Sequence, residues 1–140
     1  MDADFLTRIA KIVTAGGGTV IVDEVFRLPR ESASSLTIIE DITAIGSLSK
    51  MYGLPGLRLG WIAATRDRIR TMKTLQQYLT LSLNSVAVKF GSVVMKNAEK
   101  FSRRKLLLTN RRVLTDWVRD HHDIVKVTPP VGVRPFAWRC

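Results

Sequence analysis

Five side chains carry the chemistry open to this sequence: Lys50, Ser47, Ser49, Arg58 and Asp23. Lys50 closes the tetrad Ser47-Leu48-Ser49-Lys50, and Arg58 follows within Gly53-Leu54-Pro55-Gly56-Leu57-Arg58-Leu59-Gly60. A lysine amine attacks carbonyls once partial burial and neighbouring cations disfavour its charged form. It can then hold an aldehyde covalently and carry protons. A guanidinium is a rigid fork for phosphate, and serine hydroxyls and loop N–H groups add donors. Asp23 ends the run Thr19-Val20-Ile21-Val22. A carboxylate there can keep a pyridine nitrogen protonated, so that the ring accepts electrons. Together the groups suit a phosphorylated, cationic ring cofactor. Each has a blander explanation by itself: a solvated lysine, loop serines, an arginine in a surface ion pair, an aspartate in a turn. The order and spacing of all five favour the site.

The elements that must hold them can be read from pattern. Asp2 or Asp4 can cap a helix to about Thr14, with Phe5, Ile9, Ile12 and Val13 as its buried stripe. Gly16-Gly17-Gly18 ends it. Thr19 to Val22 reads as an apolar strand of the kind covered on both faces in parallel sheets, with Asp23 at its carboxyl end, where α/β folds keep their ligands. Arg27 to Ser35 reads as a polar loop. Leu36 to Ile39 and Thr43 to Ser47 read as short extended pieces, the second leading into Lys50. The glycines and Pro55 exclude a regular helix after Lys50 and shape a tight loop. Leu59 to Ala64 reads as a strand. Thr65 caps a helix over Arg66 to about Leu79, Asn84 to about Asn97 forms the next, and Ala98 to about His121 a long one. The long helix has Leu106, Leu107, Val113, Leu114, Trp117 and Val118 on its apolar stripe. Ile124 to Val127 and Phe136 onward read as strands.

The chain has 140 residues and is 46% hydrophobic, enough for one domain of ordinary size. No stretch is long and apolar enough to span a bilayer, since Arg58 and Asn84 interrupt the best candidates. The start Met1-Asp2-Ala3-Asp4 does not resemble a secretory or transit signal. The single cysteine, Cys140, favours a reducing compartment, so a cytoplasmic location is expected. The net charge of +10 raises the prospect of nucleic acid. However, Lys96, Lys100, Arg103, Arg104, Lys105, Arg111, Arg112 and Arg119 fall on helical segments with few aromatics between them. A solvated helix face is the better reading, and no nucleic-acid partner is expected.

Asp23-Glu24-Val25-Phe26, Ser47-Leu48-Ser49-Lys50 and the Gly53–Trp61 segment resemble the core of class I/II aminotransferases, enzymes of fold type I that use pyridoxal 5'-phosphate. The resemblance implies an α/β fold: part of the large cofactor-binding domain, a mostly parallel sheet with flanking helices, over residues 1–100. A long helix and the start of a small α+β domain would follow over 101–140. It implies that Lys50 forms the Schiff base and is the catalytic residue, that Asp23 pairs with the ring nitrogen, and that Ser47, Ser49 and Arg58 hold the phosphate. No metal is implied. The substrates would be an amino acid and a 2-oxo acid, and the full-length form a homodimer. Asn84 resembles a segment that approaches the partner subunit's site, although a helix cap explains it equally.

Two departures qualify the resemblance. Phe26 stands where the family usually has a tyrosine whose hydroxyl bonds the cofactor's phenolic oxygen. Loss of that bond, worth roughly 0.5–1.5 kcal/mol, should raise the pH at which the lysine–cofactor linkage titrates. The chain is also short. The family's glycine-rich phosphate loop, its aromatic that stacks on the cofactor and its C-terminal carboxylate-binding arginine have no counterpart in it, and Arg134 and Arg139 do not match that arginine in context. Other fold type I enzymes (lyases, decarboxylases, synthases) use the same anchors. A non-catalytic basic binding module and an inactive fragment are the remaining alternatives.

Overall fold

The computed structural model describes residues 3–27, 34–39, 41–80, 82–128 and 137–139. Helix α1 (Ala3–Ala15) leads through the glycines into strand β1 (Val20–Asp23). A single turn, α2 (Ser35–Ile38), precedes strand β2 (Ile42–Ser47), and a 3-10 turn at Pro55–Leu57 precedes strand β3 (Gly60–Ala63). Then come α3 (Arg66–Leu79), α4 (Ser85–Lys96), α5 (Ala98–Phe101) and α6 (Arg104–Asp120). Strands β4 (Lys126–Thr128) and β5 (Ala137–Arg139) form an antiparallel pair. No helix among the described residues is long and apolar enough to cross a membrane.

The fold is α/β, and its described sheet is mixed, in the order β1-β2-β3. Strands β1 and β2 are parallel, with Asp23 beside Ile45; β2 and β3 are antiparallel, with Ser47 beside Gly60. Leu6 of α1 packs with Val22 and Ile42, helped by Leu36 and Ile39, so α1 and α2 cover one face of the sheet. The expected cover on both faces is incomplete, because Ile21 and Ile62 remain exposed.

Helix α1 differs from expectation in its buried stripe. Leu6 and Ala10 are its buried residues, whereas Phe5 and Ile12 are exposed. Its apolar residues occupy more than one face, and contact with β1 and β2 selects the Leu6 side. Asp4 lies inside the first turn rather than at the cap, and Asp2 is outside the described residues. In α6, Leu107, Leu114 and Val118 are half-buried, while Leu106, Val113 and Trp117 are exposed.

Two elements depart from the pattern reading for tertiary reasons. Leu36 to Ile39 is not a strand: residues 35–38 form the α2 turn, because the Glu24 carboxylate accepts the Ser35 N–H at 2.6 Å and the Ser35 hydroxyl at 2.6 Å. A carboxylate on a first-turn N–H favours helix over the extended form that β-branched residues prefer. The single helix expected over Ala98 to His121 is broken at Ser102, whose backbone is extended. Arg103 N–H leaves the helical ladder for Met51 O at 2.9 Å, and the Ser102 hydroxyl accepts Arg104 N–H at 3.2 Å to start α6. The strand expected at Ile124 starts two residues later, and Phe136 lies outside the described residues.

Candidate active site

The Lys50 tetrad and Arg58 share one loop, the connection between antiparallel strands β2 and β3. Leu48 N–H bonds Leu59 O at 3.1 Å and extends the ladder past Ser47. Gly53 N–H bonds Lys50 O at 3.2 Å and Leu54 N–H bonds Leu48 O at 3.1 Å, which folds the chain back on itself. Gly53 takes φ 64°, a left-handed turn that suits glycine. Arg58 also takes a left-handed conformation, φ 51° and ψ 39°, at the end of the 3-10 turn.

The apolar residues of the same loop fix its orientation. Leu48, Met51 and Tyr52 are buried with Val94 of α4, and Leu54, Leu57, Leu59 and Phe101 pack around them. Helix α4 comes close enough at Gly91 that a Cβ there would stand 2.6 Å from Leu59 Cδ1. With Leu48, Met51 and Tyr52 anchored inward, Ser49 is left half-buried and Lys50 exposed. The core therefore positions the polar residues without enclosing them, and the partial burial expected of Lys50 is not found in this chain. Burial pushes the Tyr52 phenol up, against the charge of Arg27.

Asp23 reaches the same end of the sheet from β1. It neighbours Ile45 in register, and Ser47 lies two residues on from Ile45, so both side chains project from one face. Asp23 Oδ1 accepts the Val25 N–H at 2.9 Å, and Glu24 N–H bonds Ile45 O at 2.8 Å. This turn brings Phe26 against Lys50, whose Nζ lies 5.6 Å from the ring centroid, within cation–π range. Ser47 Oγ accepts Ser49 N–H at 3.3 Å, and Arg58 Nη1 donates to Pro55 O at 3.1 Å. All five candidate residues thus stand at or just beyond the carboxyl ends of β1 and β2, or on the loop between β2 and β3. Asn84 is the N-cap of α4, with Oδ1 accepting the N–H groups of Val86 and Ala87, each at 3.0 Å.

Glu24 is a residue the sequence reading passed over. Its carboxylate accepts the Ser34 hydroxyl at 3.0 Å and Arg27 Nε–H at 3.0 Å, besides both Ser35 donors. The available signal was a second carboxylate just upstream of a serine cluster. Burial alone would raise its pKa. The Ser35 hydroxyl and N–H, the Ser34 hydroxyl and the Arg27 charge together outweigh burial and hold it below the ordinary 4.5. A depressed carboxyl stabilises the fold above its unfolded pKa, and that stability is lost as pH falls through the folded value. Glu24→Gln should therefore cost about 2 kcal/mol at pH 7. The difference from wild type should shrink below pH 4.5. Denaturant melts at pH 7 and in acid check this; a gap that does not change with pH contradicts it.

Of the basic residues expected on a solvated face, Lys96, Lys100, Arg103, Arg104, Lys105, Arg112 and Arg119 are exposed, and Arg111 is half-buried. An open concavity of about 740 Å³ lies between the end of α4 and the start of α6, and none of the five candidate residues lines it.

The sequence model of the aminotransferase class I and II family matches residues 1–136. The chain belongs to this family. Capreomycidine synthase of Streptomyces vinaceus is 30% identical over 96 residues, covering 67% of this chain and 25% of that protein. The L-aspartate:5-guanidino-3-methyl-2-oxopentanoate transaminase of Pseudomonas syringae pv. syringae is 27% identical over 117 residues, covering 82% of this chain and 29% of that protein. Among solved structures, a PLP-dependent aminotransferase from Streptococcus suis superposes with a TM-score of 0.77 at 25% identity, covering 86% of this chain and 33% of that one. The chain thus spans between a quarter and a third of the length of these family members.

Proposed function

We propose that this chain carries the covalent anchor and phosphate-binding side of a pyridoxal 5'-phosphate site, in a protein that moves an amino group between an amino acid and a 2-oxo acid. One observation carries this reading: the β2–β3 loop presents Lys50, Ser47, Ser49 and Arg58 beside Asp23 at one end of the sheet. The donor set fits the cofactor group by group. An amine meets its aldehyde, two hydroxyls and a guanidinium meet its phosphate, and a carboxylate meets its ring nitrogen. When bound, the cofactor supplies an electron-accepting pyridinium ring. Lys50 would hold the cofactor through its aldehyde and, once its amine is free, would move the proton at the substrate's α-carbon. Asp23 would keep the ring nitrogen protonated, Arg58 would grip the phosphate as a fork, and Ser47 and Ser49 would donate to it, Ser49 more weakly.

Residues 1–100 belong, on this reading, to the large cofactor-binding domain and 101–140 to the start of a small one, supported by the break in the chain at Ser102. A homodimer in the full-length form and a cytoplasmic location belong to the same proposal. A second reading, synthase chemistry on the same anchors, is favoured by the name of the Streptomyces vinaceus relative. The Pseudomonas relative is named for a guanidino 2-oxo acid, so such an acid belongs among the first acceptors assayed.

Equilibrium dialysis tests the reading. Saturable uptake of one pyridoxal phosphate per chain, lost in a Lys50→Ala/Arg58→Gly double variant, supports it; uptake that survives both changes contradicts it. Phe26→Tyr adds a finer prediction. It restores a phenol O–H beside Lys50 and should lower the pH at which the visible band titrates. Affinity should change by no more than one hydrogen bond, about 0.5–1.5 kcal/mol. An unchanged spectral titration contradicts the assignment of Phe26.

A further inference from the structure

The segment immediately after Lys50 is held from outside the loop by Arg103, at the break between α5 and α6. Arg103 N–H donates to Met51 O at 2.9 Å. Its guanidinium lies against Gly53, so close that a Cβ on Gly53 would overlap Nε, Cζ and Nη2. Gly53 N–H in turn donates to Lys50 O at 3.2 Å. One residue therefore contacts both the peptide after Lys50 and the turn whose Gly53 N–H donates to the Lys50 carbonyl. Met51 and Tyr52 anchor the same segment through burial, with Leu107 and Leu108 of α6 packed against them, and Arg103, the residue before α6, adds a hydrogen bond to the Met51 carbonyl.

We infer that Arg103 is a positioning residue for Lys50, and that through it the start of α6 sets the backbone from which the amine projects. The inference rests on the cofactor reading for its consequence and on the Arg103–Met51–Gly53 contacts for its geometry. Position 53 is left-handed, which suits glycine, and the missing Cβ leaves the space that the guanidinium occupies. Arg103 touches neither cofactor nor substrate in this account. Its effect runs through the peptide that orients Lys50.

The test uses the 140-residue chain with Arg103→Ala and Arg103→Lys, read in two ways. In the first, amide hydrogen exchange is followed at Gly53 and Leu54, whose N–H groups bond Lys50 O and Leu48 O. Arg103→Ala is expected to speed exchange there about tenfold while the amides of β2 and α4 keep their wild-type rates. Both variants keep the backbone N–H that bonds Met51 O, and Arg103→Lys, which also keeps an aliphatic stem and a charge, should fall between. In the second, the chain is treated with pyridoxal phosphate and borohydride, and the fraction of label on Lys50 is mapped against pH. Arg103→Ala should lower that fraction and shift its pH profile. Unchanged exchange at Gly53 and Leu54, or faster exchange at every amide in step, overturns the inference. If wild-type Lys50 takes no specific label, the cofactor reading falls, and the exchange comparison still decides whether Arg103 orders the loop.

Discussion

Lys50→Ala should eliminate covalent capture of pyridoxal phosphate and leave the fold intact. The expected size of the two effects separates chemistry from structure. Lys50 is exposed, and its amine makes a cation–π approach to Phe26. Removing the amine should therefore change stability by no more than about 1 kcal/mol. Loss of a group that both holds the cofactor and moves the α-proton should lower kcat/KM for amino transfer in the full-length protein by at least about 10²–10⁴-fold. A thermal melt beside an amino-transfer assay checks both. Retained transfer, or a variant that unfolds, contradicts the assignment.

Arg58→Gly should weaken pyridoxal phosphate binding with little cost to the fold. Arg58 has φ 51°, where a side chain is strained and glycine is not. Glycine should relieve about 1 kcal/mol of backbone strain there. The substitution also removes the Nη1 bond to Pro55 O, worth about the same. The two roughly cancel, so the denaturation midpoint should scarcely move. The guanidinium's charge-assisted bonds to phosphate are worth about 1.5–3 kcal/mol, so affinity should fall roughly 10- to 150-fold. A denaturant titration paired with equilibrium dialysis measures the two separately. Unchanged affinity with a shifted midpoint would make Arg58 a structural residue of the turn.

Much of the site was legible because its determinants are local. Asn84 marks a helix start by its own side chain and Thr65 by its position, without a side-chain cap bond, and the glycines with Pro55 fix the β2–β3 loop within a dozen residues. Lys50 and Arg58 were therefore readable as neighbours. What escaped the pattern depends on contacts distant along the chain. The α2 turn exists because the Glu24 carboxylate reaches the Ser35 N–H. The α5–α6 break exists because Met51 O captures the Arg103 N–H. No periodicity in residues 36–39 or 98–121 encodes either event. The buried stripe of α1 was misjudged for a related reason: its apolar residues occupy more than one face, and only the sheet decides that Leu6 and Ala10 turn inward. The exposure of Lys50 was equally invisible, because whether a loop is covered depends on what else packs around it.

The most direct test of the central claim is reduction of the pyridoxal phosphate adduct with borohydride, followed by peptide mapping. The account predicts a single dominant label on Lys50 that is absent in Lys50→Ala. Label spread over Lys96, Lys100 and Lys105, or no label on Lys50, would contradict it.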